Sequence, residues 1–371
     1  MLRKIITATI ILCIINDANA QKIPGSDNLS LNQHHIVVDT DNQLNIRFYK
    51  PKAKTVELKG GDAFSNVRID VQKEESGFWT IRTSPVDIGF HYFWIEVDKE
   101  KYLLPKDERY YAYNSWVNGF EVDPGEDFFK NKNVPKGTIK KQNYSSDSIP
   151  GKRSYYLYYP FDFNKNRTYP LLVLYHGAGE NSTGWIKQGK IQNILDNLIA
   201  EKKAEPIMVV LVEGEIRNNK NSDIETSALE NINSLEKDLV ENVVFPIRNK
   251  INISDFYIAG LSRGSFQALK ISNDYSDVFS RVGLFSPVIY GGTQDDVFKR
   301  LDTRSFKNQN FFIGIGSKEK ERYFNFRNSL IQELEAQNTD FKSYESSDTY
   351  HEWLTWRRCL YEFLIWLNND Q

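Results

Sequence analysis

Gly260-Leu261-Ser262-Arg263-Gly264 constrains this chain more than any other stretch. It follows an apolar run, Phe256-Tyr257-Ile258-Ala259, and precedes a helix-like one, Ser265-Phe266-Gln267-Ala268-Leu269-Lys270. A G-x-S-x-G between strand and helix reads as a nucleophile elbow. The turn is tight and strained, so the positions flanking the serine must be small, and glycine has no Cβ to clash there. Such a turn projects the Ser262 hydroxyl above a sheet, at the N-terminus of a helix. An accidental strand–turn–helix could carry the same five residues, but the flanking pattern weighs for the elbow.

The rest of the C-terminal part supplies the sheet that the elbow requires. Short apolar strands are expected at Tyr155–Tyr159, Leu171–Tyr175, Ile207–Val212, Phe256–Ala259, Val282–Phe285 and Phe311–Ile315. Between them, Ile191, Ile194, Leu195, Leu198 and Ile199 make one helical face, and Ile232, Leu235, Leu239 and Val243 another. Pro246 should end or kink that second helix. Alternating strands and helices imply a mostly parallel sheet covered on both sides. The expected fold class is therefore α/β, of the α/β-hydrolase kind, over residues 151–371.

Residues from about 36 to 125 read as all-β. Candidate strands are Leu44–Tyr49, Thr55–Lys59, Val67–Val71, Phe78–Ile81, Gly89–Val97 and Lys101–Leu104, separated by Pro51, Gly60-Gly61, Glu75-Ser76-Gly77 and Pro85. The Gly89–Val97 strand has bulky residues on both faces, which suits the centre of a small sandwich. A β-sandwich domain is expected over 21–130, with a polar linker and first-strand region over 131–150.

The first 20 residues read as a signal peptide. Arg3 and Lys4 start it, Ile5 to Ile15 is a short apolar stretch, and Ala18-Asn19-Ala20 is a small-x-small cleavage signal. A spanning helix would need about 20 apolar residues. A secreted or periplasmic location follows, with no membrane partner. Cleavage would leave one cysteine, Cys359, in an apolar helical stretch, where a buried inert thiol is expected. The net charge of −2 and the absence of Lys/Arg runs exclude an electrostatic footprint for nucleic acid.

Ser262 needs a base. Of the five histidines, only His351 follows it, between the strand-like Phe341–Ser346 and a final helix striped with Trp353, Trp356, Leu360, Phe363 and Leu367. The base needs an acid to hold its tautomer. The strand Phe311–Ile315 runs into Gly316-Ser317-Lys318-Glu319-Lys320-Glu321, which makes Glu319 the first choice and Glu321 the second. Oxyanion donors are expected from the backbone of Arg263, next after the serine, and of Ala178 in His176-Gly177-Ala178-Gly179. His176 is then structural, because no second His or Cys stands at zinc-ligand spacing. No G-x-x-x-x-G-K-[ST] or G-x-G-x-x-G motif is present, so neither a nucleotide cofactor nor a metal is expected.

Several stretches together resemble the feruloyl and acetyl-xylan esterases of the first carbohydrate esterase family, which are themselves similar to enterochelin esterases. They are Leu174–Asn181 with Gly184-Trp185 and Lys187-Gln188-Gly189, then Ile194–Ala200, then Leu235–Leu239 running on to the elbow, and His351-Glu352-Trp353 with Trp356-Arg357. Gly89–Trp94 and Asn118–Val122 are similar to the immunoglobulin-like, early-set domain that precedes some of these enzymes. The chain departs from the family pattern in three places. The family usually has Asp where Glu319 stands. It often has a small residue or Met at Arg263 and Gly at Ser265. It commonly has Pro-Asn-Gly where this chain has Glu213-Gly214-Glu215. A cationic Arg263 would either favour an acidic substrate or face away.

The resemblance implies a serine esterase that removes feruloyl or acetyl groups from an ester-decorated polysaccharide, with Trp185 and Trp353 as candidates for the pocket wall or for core packing. A siderophore esterase would use the same catalytic residues but needs several Arg or Lys in the cleft. A carbohydrate-binding protein without turnover is the third reading, motivated by the unusual acid.

Overall fold

The computed structural model describes residues 34–61, 64–104, 109–216, 224–290 and 293–369. The expected signal peptide lies outside the described residues. Nine strands come first: His34–Val38 (β1), Gln43–Tyr49 (β2), Val56–Gly60 (β3), Ile69–Lys73 (β4), Phe78–Pro85 (β5), Gly89–Val97 (β6), Glu100–Tyr102 (β7), Arg109–Ala112 (β8) and Ser115–Val122 (β9). They make two antiparallel sheets, β1-β2-β5-β4 and β3-β6-β9-β8, with β7 paired to β6. Alternate residues from both sheets, among them Leu44, Ile46, Phe48, Ile81, Phe93, Ile95 and Phe120, meet in one apolar core. This is a β-sandwich.

The bulk on both faces of β6 has a specific cause. Phe93 and Ile95 face the sandwich core, whereas Phe90 and Tyr92 pack into the core of the following sheet. The sandwich therefore buries both sides of this strand, one within itself and one against its neighbour.

Eight further strands follow: Thr138–Ser145 (β10), Lys152–Tyr159 (β11), Thr168–Tyr175 (β12), Met208–Leu211 (β13), Asn252–Leu261 (β14), Phe279–Phe285 (β15), Asn310–Gly316 (β16) and Phe341–Ser346 (β17). Their order is β10-β11-β13-β12-β14-β15-β16-β17. The first two pairings are antiparallel and the remaining five parallel. Apolar clusters cover both faces of this sheet. Helices Gly184–Lys187 (α1), Ile191–Ala200 (α2), Ile224–Leu239 (α3), Phe245–Arg248 (α4), Arg263–Asp274 (α5), Gln294–Phe298 (α6), Glu321–Ala336 (α7) and Trp353–Asn369 (α8) alternate with the strands. The fold class is the one expected, an α/β-hydrolase sheet preceded by a β-sandwich.

Two local features have physical causes. Of the two outcomes expected at Pro246, an end or a kink, the helix does not end: a π-helical turn over Val240–Val244 precedes it, and α4 continues with proline in its first turn, where a missing N–H costs least. Within the 131–150 linker and first-strand region, β10 pairs with β11 across eight residues. Its side chains are polar on an edge strand, which hides the alternation on which a sequence reading depends.

The stripe on α8 is buried as its spacing predicts: Trp353, Trp356, Leu360, Phe363 and Leu367 all sit in the core. Each such side chain contributes roughly 1.5–3 kcal/mol. Cys359 is buried on the same helix, where burial pushes its thiol pKa well up. A Cβ on Gly314 would stand 2.4 Å from its sulfur, so helix and strand are in direct contact there.

Candidate active site

Strand β14 and helix α5 meet at Ser262, whose backbone is strained, with φ 51° and ψ −120°. The two glycines are required by space. A Cβ on Gly260 would lie 2.2 Å from the Gly264 carbonyl oxygen, and one on Gly264 would lie 2.6 Å from that of His176. The Ser262 N–H donates to the Phe285 carbonyl at 2.8 Å, and the Ser265 hydroxyl donates to the Ser262 carbonyl at 2.5 Å. The elbow is thus tied on both sides, and its side chain is left at the carboxyl edge of the parallel strands.

His351 comes to it from the loop between β17 and α8. Its Nε2 lies 2.9 Å from Ser262 Oγ, and its Nδ1 lies 2.8 Å from Glu319 Oε2. This pairing assigns the proton to Nδ1 and leaves Nε2 as the acceptor. Glu319 follows β16 and its carboxylate is fully buried. Its other oxygen accepts from the Ser286 hydroxyl at 2.5 Å and from the Gly316 N–H at 3.0 Å. Glu321, the second choice, is exposed at the start of α7. The imidazole itself is stacked on Tyr323 at 4.3 Å and 17°, and meets Trp356 edge-on at 5.1 Å.

Arg263 opens α5, so its N–H has no partner within the helix. Ala178 lies in the loop after β12, half-buried. That loop is held by its neighbours: His176 is buried, with Nδ1 against the Gly177 carbonyl and Nε2 accepting from the Gly214 N–H at 3.0 Å. Although burial opposes the charged form, Glu213 beside the ring raises the His176 pKa. The Arg263 side chain is turned inward and paired with Glu215.

A cleft of about 360 Å³ opens beside Ser262, lined also by Val288, Ile289, Tyr290, Arg322, Tyr323, Asn325 and Phe326. Of the two alternatives for Trp185 and Trp353, pocket wall or core packing, the structure has core packing, and neither lines this cleft. Both are 1% exposed, meet edge-to-face with ring centroids 5.2 Å apart, and lie in the core beneath the loop 176–180. Their indole N–H groups bond the Tyr175 carbonyl and the Tyr92 hydroxyl, which lets two large rings be buried without orphaned donors. Sequence reasoning missed Ser286, Tyr323 and the cleft wall. Ser286 stands directly after an apolar strand, at the same edge as Ser262 and Glu319, and that position was the available signal. Among the described residues no group of three or more His, Cys, Asp or Glu could hold a metal ion.

Residues 146–367 match a family described as putative esterase. The chain is 30% identical over 341 residues to an endo-1,4-β-xylanase/feruloyl esterase of Xylanibacter ruminicola, covering 88% of this chain and 45% of that protein. It is 33% identical over 96 residues to endo-1,4-β-xylanase Y of Acetivibrio thermocellus, covering 26% of this chain and 9% of that one. The chain therefore spans less than half the length of either relative. Among solved structures, a ferulic acid esterase from the anaerobic fungus Anaeromyces mucronatus aligns with a TM-score of 0.55 at 20% identity, over 65% of this chain and 94% of that one. An enterochelin esterase from Shigella flexneri aligns at 0.66 and 14% identity, over 91% of this chain and 96% of its own. Both share the fold.

Proposed function

The chain belongs to the putative-esterase family, and from that premise we propose that it is an exported serine hydrolase that removes feruloyl or acetyl groups from plant cell-wall polysaccharide such as xylan. The observation that carries the reading is the unbroken line from Ser262 Oγ, which lines the cleft, through His351 to the buried Glu319 carboxylate, at 2.9 and 2.8 Å. The feruloyl and xylan parts rest on the relatives' activities. Export rests on the pattern of residues 1–20.

In this mechanism Ser262 Oγ attacks the ester carbonyl carbon while its proton passes to His351 Nε2. The Arg263 and Ala178 N–H groups take the oxyanion. The bond to the sugar oxygen breaks, and His351 returns the proton to that leaving alcohol. His351 then takes a proton from water. The resulting hydroxide attacks the acyl-enzyme, and Ser262 leaves with its proton restored. Glu319 holds the imidazole in the required tautomer and stabilises the imidazolium.

A siderophore ester is strongly anionic. Among the described residues that line the cleft one is a cation, Arg322, while the charge of Arg263 is matched by Glu215. This favours the neutral carbohydrate ester. The deciding experiment is hydrolysis of 4-nitrophenyl acetate, methyl ferulate and acetyl-xylan by the full chain and by Ser262→Ala. Turnover lost in the variant supports the reading, and undiminished turnover in Ser262→Ala sinks the mechanism. Release of catechol-serine units in preference to ferulate would favour the siderophore ester.

A further inference from the structure

We propose that the β-sandwich is a working part of the catalytic site, with Tyr92 as a positioning residue that fixes the loop 176–180 on which Ala178 stands. The inference rests on the oxyanion role given to Ala178 above.

Tyr92 points out of the sandwich, from the face of β6 that packs on the hydrolase sheet. Its hydroxyl donates to Glu180 Oε1 at 2.7 Å and accepts from Gln188 Nε2 and Trp353 Nε1, each at 2.8 Å. Those three partners are all buried. Glu180 in turn takes the Gly177 N–H on its other oxygen at 3.2 Å. One phenol of the sandwich is thereby connected through a single carboxylate to the residue before Ala178.

The residue after Ala178 is held by the sandwich directly. Tyr113 and Asn114 form the two-residue turn between β8 and β9, both with positive φ. The Asn114 N–H donates to the Gly179 carbonyl at 2.9 Å. Gly179 has φ +72°, and a Cβ there would stand 3.2 Å from the backbone of Tyr113 and Asn114, so only glycine lets the turn dock this closely. From the opposite side Glu215 takes the Gly179 N–H at 2.7 Å. Ala178 is thus flanked by two residues whose polar backbone groups are anchored, and two of the anchors lead to the sandwich.

An oxyanion donor acts only if it is held in place before charge develops, and small misplacements cost rate rather than binding. Loss of the Tyr92 hydroxyl would take one donor from the buried Glu180 carboxylate and leave the Gln188 and Trp353 N–H groups without that acceptor. The loop would have to move to repair this.

The test compares Tyr92→Phe with Phe128→Leu in the full chain. Phe128 packs against Tyr361 of α8 at 4.8 Å, so its variant loosens the same side of the hydrolase without touching the loop. For Tyr92→Phe, kcat on 4-nitrophenyl acetate should fall about tenfold or more while KM changes less than about threefold. Peptides covering 177–180 should exchange their amide hydrogens faster. Phe128→Leu should lower the thermal midpoint as much or more, yet keep kcat within about twofold. Unchanged kcat in Tyr92→Phe overturns the proposal, as does activity that falls in both variants in proportion to stability. If the wild type shows no Ser262-dependent hydrolysis, the esterase reading fails by itself. The exchange rates then decide: faster exchange at 177–180 in Tyr92→Phe alone supports positioning, and equal exchange in both variants overturns it.

Discussion

Arg263 and Glu215 form an ion pair next to Ser262, with side chains only 5% and 10% exposed. Two departures from the family pattern, a cation after the serine and Glu213-Gly214-Glu215 in place of Pro-Asn-Gly, are therefore one feature. The carboxylate answers the guanidinium and also receives the Gly179 N–H. Arg153 fixes the same segment through the carbonyls of Glu213 and Glu215, at 2.8 and 3.1 Å. The cation faces inward, its charge matched by Glu215.

A buried ion that loses its partner is costly, whereas removal of both charges is often close to neutral. Glu215→Gln should therefore destabilise the chain by about 3 kcal/mol or more. The double variant Glu215→Gln with Arg263→Met should recover at least half of that, since the amide oxygen still accepts from Gly179. Urea unfolding of the three proteins checks this, and a double variant no more stable than the single one would refute it.

Glu319 and Glu321 are two residues apart and were both candidates for the triad acid. Only the first is buried and bonded to His351. Glu319→Gln should lower kcat by about 10³–10⁴-fold, because an amide favours the wrong imidazole tautomer. Glu321→Gln should stay within about twofold. Steady-state kinetics on 4-nitrophenyl acetate separates them, and comparable losses in both would remove Glu319 from its role.

The Glu319 carboxylate is bonded by Ser286. This residue holds φ +49°, donates to Glu319 Oε1 and accepts from Trp356 Nε1 at 2.9 Å. Ser286→Ala should lower kcat about tenfold with KM little changed, since the carboxylate keeps only the Gly316 N–H on that oxygen. Ser286→Gly should lose as much activity but less stability, because glycine adopts positive φ without strain. Equal thermal midpoints for the two variants would count against strain at this position.

The elbow turn, the approach of His351 to Ser262 and the parallel sheet were legible because each rests on local signals: glycines forced by close backbone approach, a single histidine after the serine, and apolar strands buried on both faces; the choice between Glu319 and Glu321 was not. What escaped was set by contacts between distant segments. Ser286 and Tyr323 are ordinary residues until the sheet brings them to His351. Trp185 and Trp353 looked available for a pocket because nothing in sequence tells a ring in a core from a ring in a cleft. The bounds of β10 within 131–150 escaped because an edge strand with polar side chains has no apolar rhythm. Asp196 and Asn197 sit in a stretch that carried the family resemblance, and the structure gives a reason for both: Asp196 takes the Gly137 N–H, and Asn197 donates to the carbonyls of Phe128 and Lys130. They anchor the chain as it passes from sandwich to sheet.

Glu352 adjoins His351 but faces the sandwich. Burial, with the charge of Asp87 adding to it, pushes its pKa up to about 7 from an ordinary 4.5. His91 is 3.8 Å away, yet burial lowers its own pKa, so it supplies no counter-charge near neutrality. A carboxyl whose folded pKa is raised favours folding in its protonated form. Its contribution is complete below the unfolded pKa near 4.5 and is lost as pH rises through about 7. Above that point the native chain carries a buried, poorly compensated carboxylate. Glu352→Gln keeps the shape and an oxygen for the Tyr350 N–H, and removes the ionisation. The variant and the wild type should therefore have similar unfolding free energies near pH 4.5, and the variant should be the more stable at pH 8, by on the order of 1–3 kcal/mol. Urea midpoints measured across that range decide the matter. A difference that stays constant with pH would mean that Glu352 titrates at its ordinary value and that the sandwich interface carries no such burden.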